Sequence, residues 1–383
     1  MLEIEGLSYI SNVLLWLFLF SVFLYFVPFI AIFAVSRFCD SKRFEYQQCR
    51  TYEPVVSIVV ATYNEEKRII QKLDDLTRQN YPHQRMNVIV VDSSLDSTRQ
   101  LVRQWAFQHP RIDLVLIEEL TRMGLAHALN LGYQSATGDI VIKSDCDIML
   151  ERDAIRTIVS TFADPRVGAV SGKQLLSNDS KVEGGYRKAL DRKRTIESKF
   201  GAVFQFDPFC AFRKSLIEKI SEKSVADDAE MAIKTRRKGF ATLFEQKAIF
   251  FESTPRGVVK RLLQKQRRAQ GHIIVAIQNR DILFRKEFGL FGMVFFPITF
   301  AMLVVNPWLV IAMISSLGIA YLLNLSFLGG LFGTVVIATA ALIYLTQRPS
   351  LLAGFLESQL ALIIGWIHLI IYGREYKWTM SRE

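Results

Sequence analysis

Charge is missing from two long stretches of this 383-residue chain. No Asp, Glu, Lys or Arg occurs between Gly6 and Ser36, and none between Phe288 and Gln347. Such runs exclude an ordinary soluble protein, and so does a composition that is half hydrophobic. Cysteine is scarce, and Cys39, Cys49, Cys146 and Cys210 form no CxxC pair. No glycine-rich loop of the GxGxxG or GxxxxGK type follows the first strand-like run, which argues against a dinucleotide or P-loop site. There is no internal repeat and no low-complexity linker.

The uncharged runs themselves have lengths that carry information. A membrane helix needs about 20 apolar residues, so the first run suits one span and the second, of roughly 60, suits about three. Asn306-Pro307 and Asn324 are the expected breaks in it, and Leu351 to Tyr372 makes a fourth C-terminal span. The first run exceeds a signal-peptide core, and acidic Glu3 and Glu5 precede it, so it is expected to be an uncleaved anchor. Arg37, Lys42, Arg43 and Arg50 follow it, and Arg374, Lys377 and Arg382 lie in the tail. Positive-inside logic then puts the N-terminus outside and both the central domain and the C-terminus in the cytoplasm. An even number of C-terminal spans follows. The cysteines would face a reducing compartment and remain free thiols. Much of the net charge of +10 clusters from Arg256 to Lys286, just before the second run. That position suits anionic lipid headgroups rather than nucleic acid.

Between the apolar runs the pattern is α/β. Residues 55–61, 87–92, 113–118 and 139–144 are β-branched and apolar. Helix-compatible segments 64–79, 97–108 and 124–136 separate them, which predicts a parallel sheet covered on both faces. Ligands bind beyond the C-terminal ends of such strands. Those ends carry Thr62, Tyr63, Asn64 and Glu65, then Asp92 and Asp96, then Asp145 and Asp147. Two carboxylates at one strand end can hold Mg²⁺ or Mn²⁺ together with diphosphate oxygens. The alternative is an acidic turn, with Asp147 capping a helix over 151–162.

Two further clusters add chemistry. Asp227, Asp228 and Glu230 open a helix that should stop at Gly239. Three acids in four positions exceed what capping requires, and crowding should raise one pKa as a general base needs. Gln264, Arg267 and Arg268 lie at i, i+3 and i+4 on one helical face, where two guanidiniums can clamp a diphosphate. The alternative there is a stripe facing lipid headgroups.

The ordered motifs TYNE (62–65), VDSSLDST (91–98), DCD (145–147), DDAE (227–230) and QKQRR (264–268), flanked by membrane helices, resemble the membrane-integrated inverting glycosyltransferases of family two. That group includes hyaluronan, chitin and cellulose synthases and ceramide glucosyltransferases. The resemblance implies a GT-A-like, Rossmann-related, mostly parallel α/β domain in the cytosol plus transmembrane α-helices. The implied units are an N-terminal transmembrane helix at 8–35, a glycosyltransferase domain at 52–253, a basic interface segment at 254–287, a block of about four helices at 288–372, and a tail at 373–383.

It also implies a nucleotide-diphosphate sugar as donor, a UDP-sugar first, with Mg²⁺ or Mn²⁺ and a polysaccharide or lipid acceptor. Thr62, Tyr63, Glu65 and Asp92 would hold the nucleoside. Asp145 and Asp147 would serve diphosphate and metal, Asp228 would be the base, and Gln264, Arg267 and Arg268 match the family's QxxRW. Three positions depart from the pattern. Arg268 stands where the family has tryptophan, Leu125 where it often has lysine, with Arg122 as a substitute for the lost charge, and Asp227 where it has glutamate. Polymer synthesis coupled to export is the expected function, with single addition to a lipid as the alternative. A transporter or an inactive homologue would not need all five motifs. Glu357 and Gln359 in the last span would line a polar path or make helix–helix contacts.

Overall fold

The computed structural model describes residues 2–38, 43–177, 181–253, 255, 257–322, 333–334, 337–338 and 351–373. Helix α1 (Leu2–Phe38) comes first. Eight strands then form one sheet in the order β3-β2-β1-β4-β7-β6-β8-β5. The first four are β1 (Val56–Thr62), β2 (Met86–Asp92), β3 (Asp113–Glu118) and β4 (Ile140–Ser144), all mutually parallel where they pair. They coincide with the four expected strands to within a residue at each end.

β1, β2 and β4 are buried almost throughout, as strands covered on both faces must be. Their side chains alternate. Val56, Ile58 and Val60 face a core completed by α2 (Ile69–Thr77), α3 (Thr98–Gln108) and α5 (Ala154–Ser160). Val59, Ile89, Val91 and Val141 face a second core with α4 (Leu125–Ser135) and α7 (Asp227–Arg237).

The other half of the sheet is mixed. β7 (Phe209–Arg213) runs antiparallel to β4 and to β6 (Val167–Leu176). β8 (Ala241–Glu252) is parallel to β6, and the short β5 (Met149–Leu150) is antiparallel to β8. Gly172 lets β6 pass close beneath its neighbours, since a Cβ there would lie 2.6 Å from the Ala248 carbonyl and 2.5 Å from the Phe209 ring.

Two helix expectations shift. The helix expected over 64–79 starts only at Ile69. Asn64 takes a left-handed φ of 55°, its backbone N–H donates to Ser94 Oγ, and its Oδ1 accepts from the Leu95 N–H. Side-chain bonding of this kind draws the backbone out of a helix. In place of 151–162, α5 occupies 154–160 and Asp153, not Asp147, precedes it.

Three described helices are long and apolar enough to cross a membrane: Asn12–Phe38, Phe291–Ala320 and Gly354–Tyr372. Asn306-Pro307 is not the break that the sequence suggested. Helix runs continuously over 291–322, with π turns at Phe291–Phe295 and Ala301–Val305. Pro307 cannot donate to the carbonyl of Leu303 four residues back. The Trp366 indole Nε1 donates to that carbonyl instead, at 3.2 Å, so the freed acceptor is satisfied and the helix persists. Cys39, Asn324, the span expected between the two C-terminal helices, and the tail with Arg374, Lys377 and Arg382 lie outside the described residues. The described thiols, Cys49, Cys146 and Cys210, are free.

The segment carrying QKQRR forms α8 (Val258–Gln278). It packs on the final helix, Leu351–Tyr372, and on the loop before α7. At Gly271 a Cβ would come within 2.8 Å of the Val225 carbonyl, so only glycine admits this approach without a shift.

Candidate active site

The β1 and β2 ends are tied together by Asp92. It is fully buried and accepts from Thr62 Oγ1 (2.7 Å), Ser94 Oγ (2.6 Å), the Ser94 N–H (3.1 Å) and Arg99 Nε (3.1 Å). Beside it the Arg122 guanidinium lies 3.7 Å from the centre of the Tyr63 ring, a cation–π contact. Glu65 pairs with Arg68 at 3.4 Å.

The turn after β4 presents Asp145 and Asp147. Lys72, completely buried on α2, holds this turn from beneath: its ammonium donates to Ser144 Oγ (2.7 Å) and the Ile148 carbonyl (2.9 Å). Burial lowers the pKa of Lys72, and the carboxylates around it, Asp75 foremost, offset part of that fall. On the opposite face, Lys143 is also buried. Its ammonium lies 2.6 Å from Asp227 Oδ2 and 3.8 Å from Asp145 Oδ1. Burial alone would lower its pKa, but Asp145, Asp227 and Asp228 outweigh that and hold it well above the usual lysine range.

The three acids that open α7 separate. Asp227 is paired with Lys143, and Glu230 with Lys234 at 2.9 Å. Asp228 makes only a hydrogen bond from the Ala229 N–H, at 2.7 Å, and among the described residues no cation pairs with it. Burial first, and then the neighbouring Asp227, push its pKa up to about 7, against a smaller opposing pull from Lys143.

Asp145, Asp147 and Asp228 open into a cleft of about 210 Å³ together with Gln264, Arg267 and Arg268. Arg268 is not turned to lipid headgroups. It pairs at 2.8 Å with Glu252, which is buried at the end of β8. His272, one turn further on α8, also lines the cleft. Burial and then the charge of Arg268 lower its pKa to about 4, so it is neutral at physiological pH. The side of the cleft formed by the long apolar helices is Leu303, Ser358, Ala361 and Leu362. Thr62, Tyr63, Glu65, Asp92 and Arg122 stand outside these walls, along the β1–β3 end of the same sheet edge.

Glu357 makes helix–helix contacts. It pairs with Arg261 (2.8 Å) and Lys265 (2.9 Å) of α8, and Lys265 reaches Glu183 of α6 (Lys181–Ser198) at 2.9 Å. Part of the basic run thus faces protein acids rather than lipid. Lys72, Lys143, Glu252 and His272 were not singled out by motif or spacing. A lysine within an apolar strand, as in IVIKS, is the one available signal among them.

A divalent ion is chemically compatible with the turn. Asp145 and Asp147 offer two hard oxygen donors, and the buried Glu252 Oε2 nearby has no hydrogen-bond partner. Among the described residues no group of three or more His, Cys, Asp or Glu side chains is arranged to hold a metal. Such an ion would therefore draw most of its oxygens from diphosphate and water, as Mg²⁺ commonly does.

Comparison with known proteins gives a consistent picture. Residues 57–221 match the model of glycosyl transferase family 2, and residues 140–370 that of glycosyl transferase family group 2. A probable glycosyltransferase, YdaM, of Bacillus subtilis (strain 168) is 28% identical over 244 residues, 59% of this chain and 57% of the relative. An N-acetylglucosaminyltransferase of Rhizobium meliloti (strain 1021) is 28% identical over 236 residues, 56% of this chain and 54% of the relative. The chain thus spans little more than half the length of these two relatives. Among solved structures, the mannosyltransferase PcManGT from Pyrobaculum calidifontis, in complex with GDP-Man and Mn²⁺, has a TM-score of 0.79 and 28% identity, covering 95% of this chain and 99% of its own. The sheet and its helices are those of a GT-A-like fold.

Proposed function

The chain belongs to glycosyl transferase family group 2, and from that premise we propose that it is a membrane-bound inverting glycosyltransferase, transferring one sugar from a nucleotide-diphosphate sugar to a lipid-held acceptor at the cytoplasmic face. The observation that carries the reading is the sorting of the α7 acids. Of the three carboxylates that open α7, two are paired with lysines, and Asp228 alone, facing the cleft, keeps a carboxylate with a pKa near 7. That is the value a general base needs.

The nucleoside lies along the β1–β3 end, against the Tyr63–Arg122 pair and Glu65, on loops that Asp92 ties together. Asp145 and Asp147 would hold Mg²⁺ or Mn²⁺, which when bound supplies countercharge to the diphosphate. Asp228 accepts the proton of the acceptor hydroxyl. The new bond forms from that oxygen to the anomeric carbon as the bond to the diphosphate oxygen breaks, and configuration inverts. Arg267 and Gln264 face the same cleft, where Arg267 offsets the charge that develops on the leaving group.

For the acceptor, the apolar wall of Leu303, Ala361 and Leu362 favours a lipid. Arg268 is engaged by Glu252 and offers no ring on which an elongating chain could stack. These two features move the reading from polymer synthesis to single addition. The outside N-terminus and cytoplasmic C-terminus rest on the distribution of lysine and arginine along the chain.

The test is incubation of the purified protein with a lipid extract and a panel of labelled UDP- and GDP-sugars. A single glycolipid carrying one added sugar is the expected product. Long chains formed while most acceptor remains unextended would establish polymer synthesis instead, and no product from any donor would refute the transferase reading.

A further inference from the structure

β4 carries one residue that its surroundings do not explain. Val141 and Lys143 share a face of the sheet, and that face is apolar: Val141, Cys210 and Ala126 belong to its core. Lys143 stands opposite Cys210 in the ladder and is 3% exposed. A lysine at this depth is tolerated only with a partner, and Lys143 has two. Asp227 is the first residue of α7, and Asp145 belongs to the donor turn. The nearby hydroxyl of Tyr133, also buried, makes no hydrogen bond. Asp227 therefore depends on Lys143, whereas Asp145, a quarter exposed and 3.8 Å away, does not.

We propose that Lys143 is a positioning residue for sugar transfer, one buried ammonium that fixes the start of α7 against the donor turn and so aims Asp228 at the anomeric carbon. Successive residues of a helix are turned by about 100°. Pinning the Asp227 carboxylate to β4 thus sets the rotation of α7 at its first residue, and with it the direction of Asp228. No other described contact of Asp227 does this. Misplacement of a reacting group by 1 Å can cost about a hundredfold in rate. The inference rests on the reading that Asp228 takes the acceptor proton.

The test uses the full-length protein in detergent with the donor on which the parent is active. The double variant Lys143→Met/Asp227→Asn removes both members of the buried pair, so neither is left as an unpaired charge. We expect it to melt near the parent temperature and to bind the nucleoside diphosphate and the donor within threefold of the parent, while kcat falls by roughly 30- to 100-fold. A folded double variant with kcat within threefold of the parent would overturn the proposal. So would a raised donor KM at unchanged kcat, which would make Lys143 a countercharge for the diphosphate. If the double variant does not fold, Asp227→Ala alone decides, since the oxygen of an asparagine could still accept from Lys143: a tenfold or greater fall in kcat at constant KM supports positioning, and an unchanged kcat overturns it. A parent inactive on every donor refutes the transferase reading itself, which is a separate outcome.

Discussion

The raised pKa of Asp228 has two consequences of opposite sign, and together they make a demanding test. Burial and Asp227 move the group from an ordinary 3.8 to about 7. A base works only when ionised, so about one tenth of the enzyme is competent at pH 6 and about one hundredth at pH 5. The rate with saturating donor and acceptor should therefore fall about tenfold per pH unit below 7 and level off above it. Stability should move the other way. Between pH 4 and 7 the folded protein holds a proton that the unfolded chain has lost, so this group stabilises the fold at low pH. That contribution, about 4 kcal/mol, is lost as pH rises through 7. Asp228→Asn should reveal both effects. It should cut turnover by about 10² or more, abolish the acid limb of the profile, and melt higher than the parent at pH 8 because position 228 then buries no charge. The measurements are nucleoside diphosphate release from pH 5 to 9 and thermal melts without donor. A flat profile from pH 5.5 to 8, or an Asn variant with near-normal turnover, would refute the assignment and return the base role to Asp227 or Glu230.

Other predictions address the rest of the site and its membrane mounting. EDTA should abolish nucleoside diphosphate release and Mn²⁺ or Mg²⁺ should restore it; Asp147→Ala should be inactive yet melt near the parent temperature, since its side chain lies at the sheet edge, and full turnover in EDTA would exclude a metal. Glu357→Gln removes the carboxylate that Arg261 and Lys265 share, leaving Lys265 to Glu183, and should lower the melting temperature by ~5 °C or more; an unchanged melt would mean that the Glu357 pairs hold nothing together. Trp366→Phe keeps a ring but removes the donor to the Leu303 carbonyl, at a cost of about 1 kcal/mol, whereas an unchanged stability would mean that another donor satisfies the carbonyl freed by Pro307. Cysteines placed at Glu3, Ser180 and Met380 should be labelled from outside, inside and inside respectively, and external labelling at 380 would imply an odd number of C-terminal spans.

What could be read from the sequence divides along a physical line. β1 to β4 were legible because fully buried parallel strands are written as unbroken β-branched runs, and their ends carry the polar residues in plain order. The remaining strands were not. β6 is interrupted by Gly168 and Gly172, which serve close packing, and β8 carries Glu245, Gln246 and Lys247 between two apolar halves. Short-range motifs located Asp145, Asp147, Asp228 and the α8 face, because each cluster lies within five residues of chain. Their partners are distant in sequence. Lys143 meets Asp227 across 84 residues, Lys72 meets Ser144 across 72, and Glu357 meets Arg261 across 96. No periodicity encodes such a pairing; it exists only once the sheet has formed. The same holds for the difference between the three acids of α7. Crowding predicts only that one pKa rises, and the family resemblance alone pointed to Asp228. The fold decides which, by bringing a buried lysine from β4 to one acid and a helical neighbour to another, and by leaving Asp228 with the cleft.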